Sequence, residues 1–346
     1  DRVWLAFACA RYIDTSGDNA VLDDNVSFLQ GPQLEPGQHD AFFQPMPTDA
    51  VAPLYEHCAR GLDQAISLSS ARGLPLMGSG DWNDGMDQVG ANGKGESIWL
   101  GWLLLSTLRR FIPLAQARQD PRAGVWQQHS DTLLSAMEHY GWDGNWYKRA
   151  TYDDGSWLGS QHSDECQIDS LSQSWAVLSG VANPQRAASA MAAVDKHLVQ
   201  HRQQLLLLFT PPFDQSTHNP GYIKGYPPGL RENGGQYSHA GVWGLMAVAA
   251  LAVQEPADSA TRDEPYRHFT WLSPAHRARS PAWGAAYGLE PYAMAADVYS
   301  QPPWVGRGGW SWYTGAAGWL HRAAIESILG LKMTAHDLCF TPCLPA

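Results

Sequence analysis

Positive charge is scarce in this sequence: 23 Lys and Arg stand against 34 Asp and Glu, a formal net charge of −11. Nucleic acid is disfavoured as a partner, because a phosphate backbone needs a basic face. An anionic ligand has to find positive groups placed locally, since the overall field opposes it. Cysteine is sparse as well. Cys9, Cys58, Cys166, Cys339 and Cys343 are an odd, scattered set, which fits a reducing, cytoplasmic compartment better than a disulfide scaffold. No signal peptide is visible, and the most apolar run, "IWLGWLLLSTLRRFI", falls short of the ~18 residues of a membrane span. It reads as a buried helix. A dinucleotide fingerprint and a metal-ligand set are missing too. His162 and Cys166 stand four apart, but no second pair follows at zinc spacing, so neither cofactor nor metal is expected.

Aromatic residues, by contrast, are abundant: 16 Trp, 13 Tyr and 9 Phe in a chain only 16% charged. Such residues fill cores. Indoles beside glycine and acids also suit stacking on sugar rings, which present apolar C–H faces and polar edges. At 346 residues the chain is long enough for one large domain or two ordinary ones.

Periodicity predicts helices over Val3–Tyr12, Ala50–Ala71 with Asp49 as cap, Glu96–Ala117, Arg122–His139, Asp169–Ser179, Pro184–Leu198, Ala240–Ala252 and Ala316–Leu329. Shorter ones are expected near Arg262–Leu272 and Tyr292–Tyr299. Strand signals are few: Asn145–Tyr152 and Gln204–Thr210, the second ambiguous with helix. Long loops between paired helices are unlike a bundle and suit a helical barrel or toroid with its site at one rim. The expectation is one all-α domain over 1–346. The ends open and stop abruptly, so a fragment of something longer is expected.

Three clusters could carry chemistry. The first is "GSGDWNDGM", Gly78–Met86, with two acids, an indole and three glycines. The glycines let the backbone approach a ligand. One acid, Asp81 or Asp84, is expected to hold the loop and the other to project free. An acid partly shielded beside Trp82 would have the raised pKa that a general acid needs at neutral pH. An ordinary turn would also account for two acids three apart. The second is "YPPGLRENGGQYSHAGVW", Tyr226–Trp243, which sets Arg231, Glu232, Gln236, Tyr237 and His239 before an apolar helix. A helix N-terminus is a ready anion site, though a lone His there also serves as a cap or core residue. The third is "GRGGWSWYTGAAGW", Gly306–Trp319, where Thr314 and the Gly315 N–H sit at a helix start. They suit a second side of the same anion, and Thr314 could equally be an N-cap.

Together with "GLPLMGSGDWNDGMDQVGANGKGESIWLGW", "QSWAVLSG" and "GRGGWSWYTGAAGWLHRAAIESILGL", these clusters resemble the inverting β-glycoside phosphorylases related to cellobiose and chitobiose phosphorylase, glycoside hydrolase family 94. "GDNAVLDDNVSFLQGP", "FFQP" and "LYEHCARGLDQA" look most like the C-terminal phosphorylase-like region of bacterial cyclic β-1,2-glucan synthases. The resemblance implies an (α/α)6 toroid, incomplete at its N-terminal side, behind a β-sandwich. It implies Asp84 as general acid, and a sugar site drawing on Asp81, Trp82, Arg231, Glu232, Gln236 and Tyr237. Phosphate would lie on His239, Thr314 and Gly315. The family's Arg and Asp that grip the −1 sugar would precede this chain. The partners implied are β-glucan, inorganic phosphate as co-substrate and the rest of a parent polypeptide, with a β-sandwich and a synthase region anchored in the inner membrane. A homodimer stays open.

Three readings follow from the sequence. Inverting phosphorolysis, or its reversal, needs one protein carboxylate, because phosphate is its own nucleophile. An inverting β-glucan hydrolase needs a second carboxylate, Glu232 or Asp297, about 6.5–9.5 Å away to activate water. A non-catalytic glucan-binding domain is the third.

Overall fold

A computed structural model describes residues 2–33, 35, 38, 41–256 and 259–345. The described residues form eleven α-helices: α1 (Arg2–Ser16), α2 (Leu54–Ser67), α3 (Ile98–Ala117), α4 (Arg122–Tyr140), α5 (Ser170–Ser179), α6 (Pro184–Leu198), α7 (Ser238–Ala252), α8 (Glu264–Leu272), α9 (Pro274–Arg277), α10 (Pro281–Tyr287) and α11 (Thr314–Ala323). The strands among them are short and pair only two at a time, so the fold class is all-α, as expected. Contacts divide the chain into two compact units, residues 1–69, 107–130 and 333–337 in the first and the remainder in the second.

In the first unit α1 packs on α2, and strand Asn25–Gln30 pairs antiparallel with Met46–Pro53. The strand takes residues 50–53 from the long helix expected there, so Asp49 caps nothing and Pro53 is the N-cap of α2. Tyr55, Cys58, Ala59 and Leu62 form the buried stripe of α2, at the three-four spacing the sequence shows. Arg122 gathers Asp120 at 2.6 Å, Glu56 at 2.9 Å and Asp63 at 3.5 Å into one ion cluster.

The second unit holds the candidate site. Here α5 packs on α6 and on α7, and α7 packs on α8 and on α11. This is the pairing of inner and outer helices that an (α/α) barrel uses. Helix starts are fixed by local chemistry. The Asp169 carboxylate accepts from the Leu171 N–H at 2.7 Å to cap α5, and Asn183 accepts from Gln185 and Arg186 N–H, both at 3.1 Å, ahead of Pro184 in α6. The inner faces meet in an indole core. Trp99 of α3, Trp175 of α5, Trp243 of α7 and Trp319 of α11 link in pairs, with ring centroids 6.2, 5.1 and 5.5 Å apart in that order. Much of the tryptophan content is therefore core.

Two expectations fail in this unit. Residues 292–299 are not helical: Asp297–Val298 forms a strand beside Gln236–Tyr237. The segment's remaining polar groups are claimed from its other side. Ala296 N donates to Trp310 O, and Tyr313 N to Met294 O. The apolar run 98–112 is shorter than a membrane span, but α3 has 20 residues and is long and apolar enough to cross one. Most of it is buried in protein, and Arg109, Arg110 and Pro113 lie on the side it leaves exposed or half-buried.

Candidate active site

The loops that precede the inner helices α3, α7 and α11 carry the three clusters, and Trp82 joins the first to the second. Its ring lies 5.4 Å from each of Tyr237, His239 and Trp243. The Tyr237 hydroxyl meets that of Tyr313 at 2.8 Å, which ties the second cluster to the third.

The two acids of the first cluster divide their work. Asp81 has a fully buried side chain, gripped by both terminal nitrogens of Arg149 at 2.6 Å and by the Ser97 hydroxyl at 2.6 Å. It also accepts from the Asn83 N–H at 3.1 Å. Burial alone would raise this carboxyl, but Arg149, Ser97 and the Asn83 amide outweigh it and hold it below its ordinary value. With its oxygens so occupied, Asp81 anchors the loop and is not available to hydrogen-bond a sugar. Arg149 is itself wholly buried, with Asp169 3.4 Å away on its other side. Burial lifts Asp169 to about 6 against the pull of Arg149.

Asp84 is the opposite case. It begins a single 3-10 turn, is solvent-exposed and has no hydrogen-bond partner among the described residues. Partial burial of the carboxyl, then the Asp81 charge, raises its pKa. The turn is seated on a second one, Tyr222–Gly225: a Cβ on Gly85 would come within 2.9 Å of Ile223. Gly80, at φ 120°, supplies the bend that lets Asp81 turn in and Asp84 turn out.

In the second cluster a tight turn fixes Arg231 at φ 51°, a conformation costly for a residue with a side chain. Two anchors hold it. The Arg231 N–H donates to Asp297 Oδ2 at 2.7 Å, and Asn233 donates to the Phe213 and Tyr226 carbonyls at 2.8 and 2.7 Å. The Arg231 guanidinium lies 3.6 Å from Glu232 and 4.3 Å over the Trp310 ring. Gln236 turns inward: buried, it accepts from the Leu206 N–H at 2.9 Å and steadies the strand beneath the site. Its amide oxygen is thereby committed to the fold. Asp297 is fully buried. Burial pushes its pKa to about 6, and a Cβ added at Gly309 would overlap its second oxygen.

The anion candidates sit at helix starts. His239 is the second residue of α7, its ring 4.3 Å from Trp243 and 6.0 Å from Trp319. Burial lowers its pKa to about 4, so the imidazole is neutral at pH 7. Its Nε2 is buried without a hydrogen-bond partner. Thr314 is the first residue of α11 and not its cap: the N-cap is Tyr313, whose side chain caps nothing. Thr314 and Gly315 are exposed, and a Cβ added at Gly315 would meet nothing within 4 Å. A helix N-terminus left open in this way offers free N–H groups and partial positive charge.

Comparison with known proteins now decides the family. Residues 1–330 match the description "Glycosyl hydrolase 94 superfamily, catalytic domain". The chain belongs to that family. The match is to the catalytic domain of that family. The chain is 49% identical to the cyclic beta-(1,2)-glucan synthase NdvB of Rhizobium meliloti (strain 1021), over 100% of this chain and 12% of that protein. It is 29% identical to solabiose phosphorylase of Paenibacillus borealis, over 99% of this chain and 41% of that one. Against the N,N'-diacetylchitobiose phosphorylase of Vibrio proteolyticus it is 26% identical, over 100% of this chain and 39% of the relative. The family 94 chain thus spans less than half the length of these relatives. Among solved structures it is similar to a sialidase, with TM-score 0.60 at 12% identity, over 84% of this chain and 25% of that one. A GH78 rhamnosidase of Bacillus sp. GL1 gives 0.53 at 15%, over 94% and 26%. These two likenesses are of fold alone.

Sequence reasoning missed Arg149 and Ser97, which hold Asp81, and Asp169, which pairs with Arg149 from its other side. The signal available was a single Arg inside the aromatic run "NWYKRATY", since a buried guanidinium demands acid partners. Which acids, 20 and 68 residues away, no local pattern could say.

Proposed function

We propose that this domain performs inverting phosphorolysis of β-glucosidic bonds, or its reversal, with β-1,2-glucan as substrate and α-glucose 1-phosphate as product. Asp84 gives its proton to the glycosidic oxygen as the C–O bond breaks, and the bonding pair leaves with that oxygen. A phosphate oxygen attacks the anomeric carbon from the opposite face and inverts it. Trp82 lines the glycosyl side, Arg231 and Glu232 face the leaving sugar, and phosphate rests on His239, Thr314 and Gly315. The observation that carries this reading is Asp84 itself: a lone carboxyl, unpartnered, with a raised pKa, on a loop locked by a second acid. The open start of α11 and the unpartnered Nε2 of His239 favour an anion over water as the second reactant. The 49% identity to a cyclic glucan synthase supports the β-1,2 linkage and a place in setting glucan chain length. We propose a single domain for the chain, working within a longer polypeptide.

The test is to incubate β-1,2-glucooligosaccharides with the intact polypeptide, with and without phosphate. Phosphate-dependent bond cleavage supports the proposal. Glucose release that ignores phosphate rejects it in favour of hydrolysis, and glucan binding without turnover rejects it in favour of a binding domain.

A further inference from the structure

Some of the aromatic residues outside the indole core are turned to solvent, and they form a row that begins beside Asp84. Tyr222 is 53% exposed, and after burial the Asp84 charge is the next cause raising its phenol. The Tyr222 and Tyr226 rings are 6.2 Å apart, and the Arg231 guanidinium is 5.3 Å from the Tyr226 ring and 4.3 Å from the Trp310 ring. Trp310 is 67% exposed and Trp312, two residues on, is 63% exposed. The Trp312 ring meets Tyr292, 73% exposed, at 6.0 Å.

This row is held stiffly. Trp310 O accepts from Ala296 N at 2.6 Å, and Tyr313 N donates to Met294 O at 2.9 Å, so the backbone on both sides of Trp312 is pinned to one neighbouring segment. Trp312 is held at φ 62°, an unfavourable conformation for an indole-bearing residue, and its ring is still left in water. Burying those faces would stabilise the fold, so a rigid exposed row calls for an occupant. Flat π-faces edged by guanidinium and phenol groups match the apolar faces and hydroxyl rims of pyranose rings.

We propose that Tyr222, Tyr226, Trp310, Trp312 and Tyr292 form an extended saccharide track. It receives the glucan chain on the leaving-group side, beyond the two sugars flanking the broken bond. The site then handles polymer in preference to disaccharide. The track passes through Arg231, which the proposed function sets towards the leaving sugar, so the direction of the chain rests on that reading.

The experiment uses the intact polypeptide carrying Trp312→Ala together with Tyr292→Ala. Phosphorolysis is measured on long β-1,2-glucan and on the shortest β-1,2-glucooligosaccharide turned over. KM for the long chain is expected to rise about tenfold, as loss of stacking predicts. KM for the short substrate should stay within about twofold, with kcat unchanged on both. Unchanged KM on the long chain, or equal shifts on both substrates, would overturn the track. Altered self-association without a change in saccharide KM would overturn it too, assigning the row to a protein interface. If the unsubstituted protein shows no phosphate-dependent turnover, the proposed function fails separately. Calorimetric titration with long glucan then decides the track alone: about tenfold weaker binding in the variant supports it, and equal binding refutes it.

Discussion

Asp81 and Asp84 stand three residues apart on one loop, and the Arg149 guanidinium holds the first at 2.6 Å through both terminal nitrogens while the second touches no hydrogen-bond donor among the described residues. The anchored acid stays ionised, and its charge helps raise the pKa of the free one. Two identical side chains are thereby set apart by what surrounds each.

Removing the free acid should remove chemistry and little else. Asp84→Asn is expected to lower kcat by about 10²-fold or more, as general acid catalysis is lost. Its midpoint in denaturant should match the parent, because the exposed carboxyl bonds to nothing. Near-normal turnover would assign the proton to another group.

Removing the anchor should do the reverse. Arg149→Met leaves Asp81 and Asp169 buried without their counter-ion, at an expected cost of about 3–5 kcal/mol in unfolding free energy. Arg149→Lys should rescue only part of this, since an ammonium cannot span both Asp81 oxygens. Denaturant titration of both variants reads the difference, and a loss below about 1 kcal/mol would contradict the account.

His239 sets a pH dependence whose sign can be worked out. Its folded pKa, about 4, lies below the ordinary histidine value. Between those two values the unfolded chain takes up a proton that the folded chain refuses, so stability falls as pH drops through about 6.5 towards 4. Asp169 and Asp297, both raised to about 6, work in the opposite sense over much of the same window. Substituting the histidine isolates its part: His239→Gln should lose less Tm than the parent as pH is lowered from 7 to 4. An equal or steeper loss would mean the ring is charged in the folded state.

Gly309 tests the support of Arg231, which the proposed function sets towards the leaving sugar. A Cβ there would overlap the Asp297 carboxylate, which in turn holds the Arg231 N–H at 2.7 Å. Gly309→Ala is expected to cost about 1–3 kcal/mol by overpacking and to raise KM for saccharide more than it lowers kcat. An unaltered KM would uncouple this contact from the site.

How much of this was legible in the sequence depends on whether the deciding contact was local. Helix α6 starts and stops where Asn183, Pro184 and the apolar spacing place it. The split roles of the two acids were also readable, because glycines and an indole beside them are a local signal. Residues 292–299 misled: their alanines favour helix, but partners at 306–313 and at Tyr237 draw the segment into strand pairing. Gln236 and Tyr237 sit side by side in one motif, yet one faces the Leu206 amide and the other Trp82. Alternation along a two-residue strand decides that, and the motif alone does not reveal it.

The most direct measurement is phosphorus NMR of the reaction of the intact polypeptide with β-1,2-glucan in phosphate buffer. The account predicts one α-glucose 1-phosphate for each glucosidic bond broken, and about 10²-fold slower formation with Asp84→Asn. Bond cleavage that yields free glucose, or the β-anomer of the phosphate ester, would contradict it.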